Sequence, residues 1–166
     1  MEVKDELDIR NLIARIAWLT DNWSSIDEYI ANYTPDATWE IEGLPPYVGH
    51  EGIGRRVREV LAEGVCGPGL PARHCVASLE VIPDPTDPTR AVARHFGFTI
   101  DLVGADPQIK GYSQKHDHVR KDVDGVWRVT RRVIELMGWQ GGGTVTYRNA
   151  PADGREPNVP GHDAAR

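Results

Sequence analysis

The spacing of apolar positions changes part-way along the chain. Over residues 5–20, Leu7, Ile9, Leu12, Ile13, Ile16, Ala17 and Leu19 recur at roughly helical spacing behind early acidic residues, which predicts a first helix. Asp21-Asn22 interrupts it. Ser24 or Ser25 can cap a second helix, because a hydroxyl accepts from the free N–H groups of a first turn. Ile26, Tyr29, Ile30 and Tyr33 then fall at i, i+3, i+4 and i+7. Thr34-Pro35-Asp36 is expected to end that helix. The alternation Ala37-Thr38-Trp39-Glu40-Ile41 predicts a short strand, and Leu44-Pro45-Pro46-Tyr47 a loop. A third helix is expected after Gly52, with Ile53, Val57, Val60 and Leu61 on one side. The segment from Gly64 to Pro71 reads as loop.

Beyond it the spacing is that of strands, over 73–82, 91–103, 110–121 and 126–138. They are separated by Pro83-Asp84-Pro85-Thr86-Asp87-Pro88, by Gly104-Ala105-Asp106-Pro107 and by the turn Asp122-Val123-Asp124-Gly125. Helices first and long strands afterwards predict an α+β domain, three N-terminal helices packed on one face of a curved, mostly antiparallel sheet. Residues 141–166 open on Gly141-Gly142-Gly143, hold three prolines and show no periodicity. The expected organisation is one domain over 1–140 and a Gly/Pro-rich C-terminal tail over 141–166.

Composition narrows the partners. A net charge of −6 argues against a nucleic-acid backbone, and Arg55-Arg56-Val57-Arg58 is offset by Glu51, Glu59 and Glu63. No apolar run reaches membrane-spanning length, and the opening MEVKDELDIR is too charged for a signal peptide. Cys66 and Cys75 make no disulfide framework, so a cytoplasmic location is expected. No glycine-rich nucleotide loop follows a strand and no cysteine metal set is present, so no cofactor is expected.

Asp21 and His74 carry the chemistry if the fold joins them. A carboxylate beside an imidazole fixes the ring tautomer through one nitrogen and leaves the other as a base near neutral pH. Each residue also has a plainer use: Asp21 as a helix-end acceptor, His74 as a buried neutral ring in a strand that Cys75-Val76-Ala77 marks as buried. Tyr112, Gln114, His116 and His118 share one face of the third long strand, with Asp117 on the other. His-x-His is a metal-ligand spacing, for which His95, His74 or Asp21 would have to supply the third ligand. Substrate contact is the favoured use and no metal is expected. On the last strand, alternation groups Arg128, Thr130, Arg132 and Ile134 against Trp127, Val129, Arg131 and Val133. Trp127, Val129, Val133 and Trp139 are more apolar surface than one domain exposes, which predicts a homo-oligomer.

The order of elements, with Asp36-Ala37-Thr38-Trp39-Glu40-Ile41-Glu42-Gly43, Tyr47-Val48-Gly49-His50-Glu51-Gly52 and Asp124-Gly125-Val126-Trp127-Arg128-Val129, resembles the SnoaL-like branch of the NTF2-like superfamily over roughly 5–138. The resemblance implies a cone-shaped α+β fold around a cavity. Scytalone dehydratase, bile-acid 7α-dehydratase and hexachlorocyclohexane dehydrochlorinase, eliminating enzymes of that superfamily, imply an Asp–His pair. Asp21 matches the Asp closing their first helix, His74 the strand His, and Arg132 an arginine that two of them place in the pocket. They also carry a Tyr or Lys about a turn before the Asp, where this chain has Ile16. The Tyr and carboxylate of ketosteroid isomerase are replaced by Ile16 and Ile41. The implied activity is a cofactor-independent lyase of the dehydratase type, acting on a small hydrophobic or polycyclic substrate of secondary metabolism. Isomerase, cyclase and non-catalytic ligand-binding roles remain open. Arg132 is implied as a catalytic cation. Tyr112, Gln114 and His116 are implied as substrate contacts, with Trp18, Trp39 and Tyr47 as apolar walls. By the same resemblance a trimer is favoured over a dimer.

Overall fold

The computed structural model describes residues 1–102 and 107–139. The elements run α1 (Val3–Asn22), α2 (Ile26–Ile30), β1 (Tyr33–Ile41), β2 (Tyr47–Val48), α3 (Gly49–Ala62), β3 (Ala72–Pro83), β4 (Arg90–Asp101), β5 (Gln108–Lys121) and β6 (Trp127–Trp139). One six-stranded sheet has the order β2-β1-β6-β5-β4-β3, antiparallel except where β1 runs parallel to β6. The three helices pack on its inner face, which is the expected α+β cone. The expected 141–166 tail lies outside the described residues.

The first half departs from its spacing in two places. Tyr33 and Thr34-Pro35-Asp36 belong to β1 and do not extend or end α2. The Asn32 side chain donates to the carbonyls of Glu28 and Tyr29 and so closes α2 early. Pro35 is tolerated in a strand because the β1–β6 register shifts between Tyr33 and Thr38, leaving no ladder bond for its missing N–H to break. The second departure is Tyr47, expected to end a loop, which pairs with Trp39 while Val48 pairs with Thr38 as β2. Gly49 turns that strand into α3 with φ +67°, and a Cβ there would stand 3.1 Å from the Pro35 carbonyl oxygen.

The core is formed by Ile9, Leu12, Ile13 and Ile16 of α1, Tyr29 of α2 and Ile53 of α3 against Tyr33, Val119, Trp127 and Val129 of the sheet. Asp5 fixes the start of α1 to the sheet, accepting from Lys121 Nζ at 2.7 Å and Trp127 Nε1 at 3.0 Å. Trp127 and Val129 are therefore interior residues, which removes two of the four proposed oligomer contacts. Simple alternation failed on β6 because of a β-bulge. Val119 pairs with Val129 and His118 with Arg131, so Thr130 is an extra residue. The bulge turns Trp127 and Val129 inward before it and Arg132 and Ile134 inward after it. β3 is an edge strand, and Cys75, taken as the mark of a buried strand, is exposed. No helix among the described residues is long and apolar enough to cross a membrane.

Candidate active site

A cavity of about 470 Å³ opens among the end of α1, α3 and the inner face of the sheet. Trp23, Trp39, Ile41, Val57, Val60 and Leu136 give it mostly apolar walls, broken by a few polar groups. The indole N–H groups of Trp23 and Trp39 are buried without a protein partner. Each is a donor that a ligand oxygen or a water would satisfy.

Asp21, in the last turn of α1, is almost wholly buried, and β3 brings His74 onto it. One carboxylate oxygen accepts the backbone N–H of His74 at 2.6 Å, and the other lies 2.7 Å from ring Nδ1. A carboxylate only accepts, so Nδ1 carries the hydrogen, and the tautomer this selects is the one whose lone pair is on Nε2. No described residue bonds Nε2, and His74 lines the cavity. Asp21 is thus no ordinary helix-end acceptor, and His74 is not sealed on both nitrogens.

Arg132 also reaches the cavity, from the inward side after the bulge. It is not a free cation. Nε and one terminal nitrogen grip Asp117 at 2.6 and 2.9 Å, and the other donates to the Tyr33 hydroxyl at 3.0 Å. His95 Nε2 stands 3.1 Å from the same carboxylate. Burial alone would push the Asp117 carboxyl up, but the Arg132 charge and the His95 hydrogen bond hold it well below the usual carboxylate range. Burial pushes the Tyr33 hydroxyl well above its ordinary value. The buried network leaves part of the five-donor guanidinium fork available to a ligand.

Two further cavity groups went unread in the sequence. Cys66 is buried, and desolvation pushes its thiol up to about 11, so it is a protonated wall residue at neutral pH. Lys115 projects from the inward face of β5. Burial, and then the charge of Arg132, lower its ammonium to about 8. The signal was available: position 115 shares the phase of Ser113 and Asp117, the face opposite to the one chosen for the site.

The remaining expected contacts separate into near and far. Trp39 lines the cavity. Tyr47 does not; it stands behind Trp39, with ring centroids 6.4 Å apart, and against Arg56. Tyr112 touches the margin of the cavity, but its ring stacks between Phe96 and Phe98 on the other face of the sheet. Gln114 and His116 bond each other at 2.9 Å and are not among the lining residues, so the face chosen for substrate contact is the outer one. His95 points inward while His116 and His118 point outward, and no three potential metal ligands gather among the described residues. Trp18 is 69% exposed, on the solvent side of α1, and forms no wall. Trp18→Ser is accordingly expected to change turnover less than about twofold, in a side-by-side assay with the parent protein.

A family model described as a SnoaL-like domain matches residues 1–133. No curated protein matches the sequence. Among solved structures, a cystatin-like-fold protein from Nostoc punctiforme superposes with TM-score 0.69 at 21% identity, covering 82% of this chain and 93% of its own. An NTF2-like protein from Novosphingobium aromaticivorans gives 0.67 at 21%, covering 84% and 86%. ActVI-ORFA from Streptomyces coelicolor gives 0.65 at 14%, covering 81% and 98%. At such identities the likeness establishes the NTF2-like fold and carries no chemistry.

Proposed function

Because the chain belongs to the SnoaL-like domain family, we propose that its cavity is the active site of a cofactor-independent lyase, with His74 as general base and Asp21 as its orienting partner. The observation that carries this is the Nδ1–Asp21 contact of 2.7 Å at the wall of a mostly apolar cavity. Nε2 of His74 would take an acidic proton from the carbon next to a carbonyl. As the imidazolium forms, Asp21 stabilises it through the same hydrogen bond. The electrons left on carbon form a double bond as a neighbouring hydroxyl leaves, taking the proton back from the His74 imidazolium to depart as water and returning the ring to its neutral form. Arg132 would meet the developing oxygen charge with its remaining N–H groups. The walls fit a small hydrophobic or polycyclic hydroxy-ketone. Gln114 and His116 lie on the outer face and take no direct part, whereas Tyr112 touches the margin of the cavity.

A panel of hydroxy-ketones and polyketide fragments, followed by mass spectrometry, tests the reading. Loss of one water from a panel member, dependent on the protein, is the expected result. A product of unchanged mass would instead assign the same base to an isomerase or cyclase, and binding without turnover would make the protein a ligand carrier.

The assembly is expected to be a homo-oligomer, a trimer ahead of a dimer. With Trp127 and Val129 in the core, support for an interface moves to the outer sheet face. There Phe96, Phe98 and Tyr112 form a half-buried aromatic row, with centroids 5.5 and 5.1 Å apart. Light scattering at micromolar concentration should return about three chain masses. A monomer mass would contradict the expectation.

A further inference from the structure

Three of the four lysines sit on carboxylates: Lys4 on Asp8, Lys110 on Asp101 and Lys121 on Asp5. Lys115 forms no ion pair with a described residue. It lines the cavity together with His74, and the acid two residues along, Asp117, is already committed to Arg132. Space is kept for the amine: a Cβ built at Gly97 on the neighbouring strand would lie 3.0 Å from Lys115 Nζ. The cavity it lines has mostly apolar walls and the two unpartnered indole donors, and its titratable groups include Arg132, Arg56, Glu42, Glu63, Cys66 and the Asp21–His74 pair. Because burial lowers the Lys115 ammonium to about 8, a larger share of this amine than of an ordinary lysine is the uncharged nucleophile near neutral pH.

We propose that Lys115 is a carbonyl-binding amine, which forms a reversible imine with an aldehyde or ketone held in the cavity. The nitrogen lone pair attacks the carbonyl carbon, and the C=O π pair moves to oxygen, which takes up a proton. The resulting carbinolamine loses its hydroxyl as water as the C=N bond forms. Amine and carbonyl thus become imine and one water, with no oxidation or reduction. The indole N–H groups of Trp23 and Trp39 are donors available to the oxygen while it is attached. The imine acidifies the adjacent C–H bond, the proton assigned above to His74. That consequence rests on the reading of His74 as a base, whereas the imine itself does not.

The test is reductive trapping of the full chain with naphthaldehyde and sodium cyanoborohydride, read by intact mass and peptide mapping. One secondary-amine lysine adduct per chain is expected, at Lys115, forming at least about ten-fold faster than at Lys4, Lys110 or Lys121. Its rate should rise with pH through about 8, as the ammonium gives up its proton. Lys115→Met should remove the adduct while melting no lower than the parent, and Lys115→Arg should remove it with the charge retained. His74→Ala should still be labelled at Lys115, so a failure of the base would not be mistaken for a failure of the amine. Label spread over the other lysines, or lysine label that persists in both Lys115 variants, would overturn the proposal.

Discussion

His74→Ala and Asp21→Asn are each expected to lower the rate of elimination by about 10²–10⁴-fold, the range usual for loss of a positioned general base or its orienting acid. The double variant should be scarcely slower than His74→Ala. Asp21 acts only through the ring, so once the ring is gone its removal costs little more. Asp21→Asn retains an acceptor oxygen but introduces an NH₂ group, which can turn a ring nitrogen from donor to acceptor and so misplace the lone pair. Circular dichroism and melting should show both single variants folded. Losses that simply multiplied would give Asp21 a direct role on substrate.

The second large effect concerns stability. Asp117→Ala is expected to cost about 3–5 kcal/mol, because it strands a buried guanidinium whose contacts with that carboxylate are 2.6 and 2.9 Å. Chemical denaturation at neutral pH reads it as a lower midpoint with an unchanged slope. Asp117→Ala combined with Arg132→Met should recover much of the loss, since no buried charge then lacks a partner. The pH dependence follows from the depressed Asp117 carboxyl. Its stabilisation is complete above the ordinary carboxylate value of about 4 and is lost as pH falls towards the folded value. The parent protein should therefore lose stability in acid along a slope that the double variant lacks. Equal acid slopes would move the titration to other carboxylates.

Much of this molecule was legible in the spacing of its residues. The α1 pattern, the four long strands and the Asp21–His74 meeting all follow from period, order and resemblance. What escaped was set by single irregularities that leave no periodic trace. One inserted residue, Thr130, reverses the facing of β6, so strict alternation groups Arg132 with Arg128 and separates it from Val129, with which it shares the inner face. On β5 the phase itself was regular. By residue type His116 and Gln114 look more like ligand contacts than Ser113 and Lys115, and residue type here points to the outer face. The inward face instead carries the costly groups, Lys115 and Asp117, because a cavity and a buried counter-charge make them tolerable there. Trp18 follows Ile16 and precedes Leu19 in the chain, yet at helical spacing it falls on the face of α1 opposite to the buried stripe that those residues share with Ile9, Leu12 and Ile13. Arg132 lines the cavity, while its partners Asp117 and Tyr33 depend on three strands meeting and had no local signature.

Proton removal by His74 can be isolated from everything that follows it. A bicyclic ketone with no leaving group cannot eliminate, but a base in the cavity can still exchange the hydrogen beside its carbonyl for deuterium. The measurement is the deuterium content of such a ketone recovered after incubation in D₂O with the parent protein and with His74→Ala. Exchange by the parent, falling to the uncatalysed rate in the variant, is the predicted result. Exchange that is equally fast in the two proteins would contradict the assignment of His74 as the base.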